Sequence, residues 1–138
     1  MADSFLLEIA TPERQMLKEQ VTEAQIPGED GYMGILPGHA PLVSRLRPGI
    51  LSYNLNGKEE AVAIQGGFLE VAQDHVRVLV DGGVKSGEVD LAQAQERAQQ
   101  AQQQVENIPM GMDLADALAD AMNAEAQVEL AKRTAGKS

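Results

Sequence analysis

From residue 5 to about residue 85 apolar side chains recur at every second position, and turn residues break the alternation at short intervals. This pattern restricts the fold more than any other feature, because a period of two fits a sheet with one buried face and does not fit an amphipathic helix. Phe5, Leu7 and Ile9 alternate with Leu6, Glu8 and Ala10 until Thr11-Pro12 stops the run. Residues 51–55 and 60–64 flank Asn56-Gly57, a dipeptide that supplies the two positive-φ positions of a tight hairpin turn. Residues 68–72 and 76–80 read as a second hairpin around Gln73-Asp74-His75, with Leu69 and Val71 on one face and Val76, Val78 and Val80 on another. Short strands separated by such turns predict an antiparallel β-sandwich.

At Gly82-Gly83-Val84-Lys85-Ser86-Gly87 the composition changes, and the rest of the chain is rich in Ala and Gln with no aromatic residue. The expected organisation is α+β: a sandwich over residues 1–86, then an antiparallel two-helix hairpin over residues 87–138. Asp90 is placed to cap the first helix, with Gln93 spaced for a capping box. Leu91, Ala94, Ala98, Ala101, Val105 and Ile108 then recur at steps of three and four. The breaker Asn107-Ile108-Pro109-Met110-Gly111-Met112 precedes a second helix, from Asp113 to about Arg133, whose seam is Ala117, Ala121, Ala124, Val128 and Ala131. Two alanine seams let helices approach closely but bury little area per turn, so docking on the sandwich or on a partner must supply the remaining stability.

The chemistry available is narrow. A formal charge of −10 argues against nucleic acid as a partner. The absence of cysteine removes thiolate nucleophiles, thiolate metal sites and disulfides. His39 and His75 stand outside any nucleophile or metal-ligand motif, so His75 reads as a solvated turn residue and His39 as a loop residue bonded to backbone. The pairs Glu29-Asp30 and Glu59-Glu60 read as solvated turn residues. Ala135-Gly136-Lys137-Ser138 resembles the end of a P-loop, but Ala131 stands where its first glycine belongs, and no helix follows. No cofactor, metal or catalytic residue is expected. Met1-Ala2-Asp3-Ser4 does not read as a secretory signal, and no apolar run is long enough to span a bilayer, so membrane association is expected only through partners.

Residues 26–42 place Gly or Pro at nearly every second position while keeping Met33, Ile35, Leu36 and Leu42, which reads as a shaped loop presenting a surface. Gly34-Ile35-Leu36-Pro37-Gly38-His39-Ala40-Pro41-Leu42, then Arg47-Pro48-Gly49, then Gly66-Gly67-Phe68 carry a resemblance to the epsilon subunit of the bacterial rotary proton-translocating ATP synthase. The resemblance implies a non-catalytic subunit of the central stalk that couples proton flow to ATP synthesis and regulates hydrolysis through its helices. It implies as partners the gamma subunit, the c-subunit ring and the beta subunit, and a peripheral place on the cytoplasmic face of the plasma membrane. The contacts to gamma and the ring are expected at Gly31, Tyr32, Met33, Gly34, Pro37, Gly38, His39 and Pro41. Many relatives carry an acidic residue at the position of Tyr32, so an aromatic or hydroxyl contact is expected there instead.

Some relatives bind ATP at the start of the first helix. Asp90 and Ala94 match that pattern, but Gln93 replaces its arginine, which leaves at most a weak nucleotide site and favours Asp90 as a cap. A free-standing nucleotide-sensing module is the alternative reading. Inhibitory relatives present basic helices to an acidic motif of the beta subunit. Here residues 88–131 carry nine acidic side chains against Arg97 alone, so the regulatory contact is expected at Lys132 and Arg133.

Overall fold

The computed structural model describes residues 3–135. Met1 and Ala2 of the N-terminal reading, and Gly136, Lys137 and Ser138 of the P-loop-like tail, lie outside them. Ten strands come first: β1 (Phe5–Ala10), β2 (Gln15–Val21), β3 (Glu23–Gly28), β4 (Gly31–Ile35), β5 (Leu42–Leu46), β6 (Gly49–Leu55), β7 (Lys58–Ile64), β8 (Gly67–Ala72), β9 (His75–Val80) and β10 (Gly83–Lys85). A single 3-10 turn, Ser86–Glu88, leads to α1 (Leu91–Glu106) and α2 (Leu114–Ala135).

The strands form one folded sheet in the order β10-β7-β6-β3-β5-β8-β9-β1-β2, with β4 paired to β3. Its two halves meet edge to edge only where Gly28 pairs with Leu46, and there the sheet turns back on itself. Inward-facing residues of both halves interlock between them, among them Ile26, Ile35, Leu51 and Ile64 from one and Phe5, Leu7, Ile9, Leu69 and Val78 from the other. The pairing is antiparallel throughout except for β1, which runs parallel to β9. A parallel pair needs a long crossover, and here the rest of the sandwich provides it.

The expected hairpins form. Asn56 and Gly57 both have positive φ between β6 and β7, and Gln73 and Asp74 do the same between β8 and β9. The second pair lacks glycine and relies on the tolerance of an Asp for this region. Register corrects one detail: Leu69 lies opposite Val78 and Val71 opposite Val76, so all five apolar residues of this hairpin face the same core rather than two faces.

In the helices, Ala94, Ala98 and Ala101 of α1 pack on Ala124 and Val128 of α2. Ile108 drops out of the expected seam because α1 stops at Glu106 and leaves it exposed. Asp90 accepts the Gln93 backbone N–H at 3.0 Å, without the reciprocal bond of a capping box. Asp113 caps α2 in the same way through Asp116 N–H at 2.9 Å. A second stripe of α2, Ala126 and Leu130, lies on Ile50, Ala61 and Ala63 of the outer face of β6 and β7. Full burial of a leucine stabilises by about 1.5–3 kcal/mol, so Leu130 is the main anchor of the hairpin on the sandwich.

Candidate functional site

Residues 26–42 are not one loop. Residues 23–35 form the β3–β4 hairpin around the turn Glu29-Asp30, and Leu36 to Pro41 form the loop that follows. Density of Gly and Pro hid the strands, although neither residue disrupts a ladder here. Pro27 sits beyond the last β3–β6 pair at Gln25, and its carbonyl still accepts Arg47 N–H at 3.0 Å. Gly31, Tyr32, Met33 and Gly34 therefore belong to an edge strand, with Met33 turned toward the core and Tyr32 toward the outside.

This arrangement divides the eight expected contact residues between two neighbourhoods. The Tyr32 hydroxyl accepts Ile50 N–H at 3.1 Å, and the Arg47 guanidinium lies 5.9 Å from its ring centroid. Gly49 packs so closely beneath that a Cβ would stand 2.9 Å from Pro27 Cβ and 3.0 Å from the Tyr32 hydroxyl. About four residues further along, at roughly 3.3 Å per residue, the chain reaches Pro37, Gly38, His39 and Pro41 at the opposite end of β4. There Gly38, at φ +80°, donates its N–H to Asp74 Oδ1 at 2.7 Å. His39 N–H reaches Leu36 O at 3.1 Å, and its Nδ1 lies 2.7 Å from Ala40 O, which makes Nδ1 the donor. The loop is thus tied to the β8–β9 turn.

His75 is not merely a solvated turn residue: it opens β9, and its Nε2 lies 3.0 Å from Glu8 Oε1. That bond, helped by Lys18 and Arg77, holds the Glu8 carboxyl below its usual range against a smaller opposing effect of burial. Among the described residues, His39 bonds a backbone carbonyl and His75 a carboxylate. Among the described residues no group of three His, Asp or Glu side chains is placed to hold a metal ion.

The outer face of β5, β8 and β9 carries a feature that the sequence reading left unassigned. Register aligns Arg45, Phe68, Leu79 and Ala10 in one cross-strand row, with Val43, Glu70, Arg77 and Glu8 in the next. Val43, Phe68 and Leu79 are 74%, 54% and 51% exposed, large values for apolar residues in mid-strand. The Arg45 guanidinium lies 5.9 Å from the Phe68 ring centroid. An aromatic centre with aliphatic neighbours and arginines around it has the composition of a protein-docking surface. The period-two alternation was the available signal: Phe68 must point away from the core once Leu69 points into it.

The junction with the helices is pinned by charge. Arg14 donates two hydrogen bonds to Glu88, at 2.8 and 2.7 Å, and Lys85 N–H donates to the same carboxylate at 2.8 Å. Together, the Arg14 fork first, they lower the Glu88 carboxyl to about 2. Asp90 is engaged as the cap of α1, and Ala94 is buried in the helix seam. Arg133 is bonded to Glu129 at 3.0 Å and lies 3.9 Å from Glu59, while Lys132 stands beside a cleft against the sandwich.

Residues 4–86 match the family model described as the ATP synthase delta/epsilon chain, beta-sandwich domain. The ATP synthase epsilon chain of Solibacter usitatus is 45% identical over 96% of this chain and 99% of its own length. That of Desulfitobacterium hafniense strain Y51 is 38% identical over 96% of this chain and 99% of its own. Among solved structures, a chain of the Euglena gracilis mitochondrial ATP synthase OSCP/F1/c-ring structure aligns with a TM-score of 0.79 at 23% identity, covering 91% of this chain and 80% of that one. At that identity the likeness speaks for the fold.

Proposed function

Because the chain belongs to the ATP synthase epsilon-chain family, we propose that it works as a non-catalytic subunit of the central stalk of the rotary proton-translocating ATP synthase. The observation that carries this is the 45% identity to an epsilon chain over nearly the full length of both proteins. The subunit transmits torque between the gamma subunit and the c-subunit ring and performs no chemistry. A packed sandwich suits the task, since a close-packed core resists deformation. It sits peripherally on the cytoplasmic face of the plasma membrane, held there by its partners; no helix among the described residues is long and apolar enough to cross a bilayer.

Residues 1–86 serve assembly and residues 87–138 serve regulation. The gamma subunit docks on the Val43, Phe68 and Leu79 face, whose large apolar side chains are uncovered in the free chain. The loop bearing Pro37, Gly38, His39 and Pro41, fastened by Asp74, meets the ring, and the edge strand with Gly31, Tyr32, Met33 and Gly34 extends that contact. Lys132 and Arg133 at the end of α2 touch the beta subunit when the hairpin leaves the sandwich, which separates Arg133 from Glu59 of β7.

Co-purification of the tagged chain with the membrane ATP synthase tests the placement. Phe68→Asp should abolish co-assembly with gamma while the free protein keeps its folded circular dichroism, because the side chain is already half in water. A Phe68→Asp chain that still co-purifies in full with gamma would move the interface elsewhere.

A further inference from the structure

Arg45 is exposed on the outer face of β5, and its guanidinium lies over the Phe68 ring, 5.9 Å from the centroid. The ring face attracts the cation but leaves its N–H donors unmet. Among the described residues no carboxylate comes within ion-pair distance of it. Glu29 and Glu70 are its acidic neighbours along the backbone: Glu29 N–H bonds the Arg45 carbonyl at 3.0 Å, and Glu70 follows Phe68, the register partner of Arg45, by two positions on β8. Glu70 stands opposite Arg77, so the next row carries its own opposite charge. On the other side of Phe68, Leu79, Ala10 and Pro12 line an open groove of about 340 Å³, and Asp81 lines it too.

A partner that covers Phe68 also covers Arg45, because the two side chains lie together. Taking an unpaired guanidinium out of water without supplying an acceptor is strongly unfavourable. Resting on the docking of gamma described above, we infer that the gamma subunit brings a carboxylate to Arg45 and seats an apolar side chain in the groove beyond Phe68. A carboxylate is the acceptor of matching shape, since it takes two parallel N–H bonds from the guanidinium fork. Asp81 repels an acidic side chain from the groove, so the acidic and apolar residues of gamma have a fixed order across the face. Arg45 is then a specificity residue, which rejects a basic surface and leaves an uncharged one unrewarded.

The test titrates the full chain onto ATP synthase stripped of this subunit, at low and at high salt. In Arg45→Gln affinity should fall at least tenfold, and the binding that remains should respond less to salt; Arg45→Glu should bind more weakly still. In Arg45→Lys, carbodiimide should join the substituted lysine to an aspartate or glutamate of gamma, identified by mass spectrometry of the cross-linked peptide. Circular dichroism should show all three variants folded, since the position is exposed. Phe68→Asp separates this contact from the docking it rests on. If Phe68→Asp abolishes binding while Arg45→Gln and Arg45→Glu bind like the native chain, or if the substituted lysine forms no cross-link to gamma, the acidic contact is overturned and the docking face stands. If Phe68→Asp binds in full, gamma docks elsewhere and both readings fall.

Discussion

Arg14 and Glu88 stand 74 positions apart in the chain, yet their fork fixes the point where the helices leave the sandwich. A carboxyl lowered from 4.5 to about 2 contributes stability that is fully present above its ordinary value and fades as pH falls from about 4.5 toward 2. Both side chains are more than a third exposed, so the contribution is small, and its clearest readout is the group itself. In Arg14→Ala the Glu88 carboxyl carbon should titrate well above 2, nearer its usual range, by NMR; a midpoint still near 2 would make the Lys85 N–H the principal cause. Gly67 gives a second residue-scale expectation. At φ +145° it abuts β9 so closely that a Cβ would collide with the Leu79 carbonyl oxygen. Gly67→Ala should cost at least about 2 kcal/mol in urea unfolding, since both backbone strain and a clash with a paired strand oppose it. Gly66-Gly67-Phe68 stood out in the sequence, but the need for Gly67 was legible only once the β8–β9 register placed Val80 opposite it and the Leu79 carbonyl against it. The Tyr32–Ile50 bond was hidden for the same reason: it joins strands whose neighbourhood no local pattern reveals.

Strands and helices were read from periodicity, and the elements recovered are those whose period is long and clean. The Asn56-Gly57 hairpin and the α1–α2 seam are of this kind. The β3–β4 hairpin was missed because Gly and Pro lower strand propensity whatever the tertiary pairing supplies. The stripe that docks α2 was missed for a different reason: Ala126 and Leu130 are only two side chains, offset from the seam that faces α1. Their small number makes docking sensitive to one substitution. Leu130→Ala should weaken the hairpin–sandwich contact by about 2–3 kcal/mol, toward the low end of core truncations because the site lies at an element boundary. Hydrogen exchange should then quicken in α1 and α2 while β6, β8 and β9 keep their protection; equal acceleration in the strands would show that the helices and sandwich unfold as one unit.

For the whole molecule, the sandwich core draws its buried residues from β1 to β9, and α2 lays its buried stripe on the outer face of β6 and β7. A chain ending at Ser86 should therefore fold and bind gamma, with unfolding still cooperative; an unfolded truncation would show that Leu130 and Ala126 are part of the essential core. In the assembled enzyme, removal of residues 87–138 should raise ATP hydrolysis only slightly. Asp113, Asp116, Asp120, Glu125 and Glu129 repel an acidic partner and leave only Lys132 and Arg133 to attract it, so the effect should shrink at high salt, where the Debye length falls below about 8 Å and that attraction is screened. A large, salt-independent activation would point to apolar packing of the helices as the brake. The parallel pairing of β1 with β9 bears on how the protein is made. His75, the partner of Leu6, leaves the ribosome roughly 70 residues later, which at 5–20 residues per second is about 4–14 s of synthesis. Throughout that interval β1 can pair only with β2, and its other edge, with Leu7 and Ile9 beside it, waits open. Sandwich closure is thus a late event in translation, and the nascent β1–β2 hairpin is the segment most in need of a chaperone's cover.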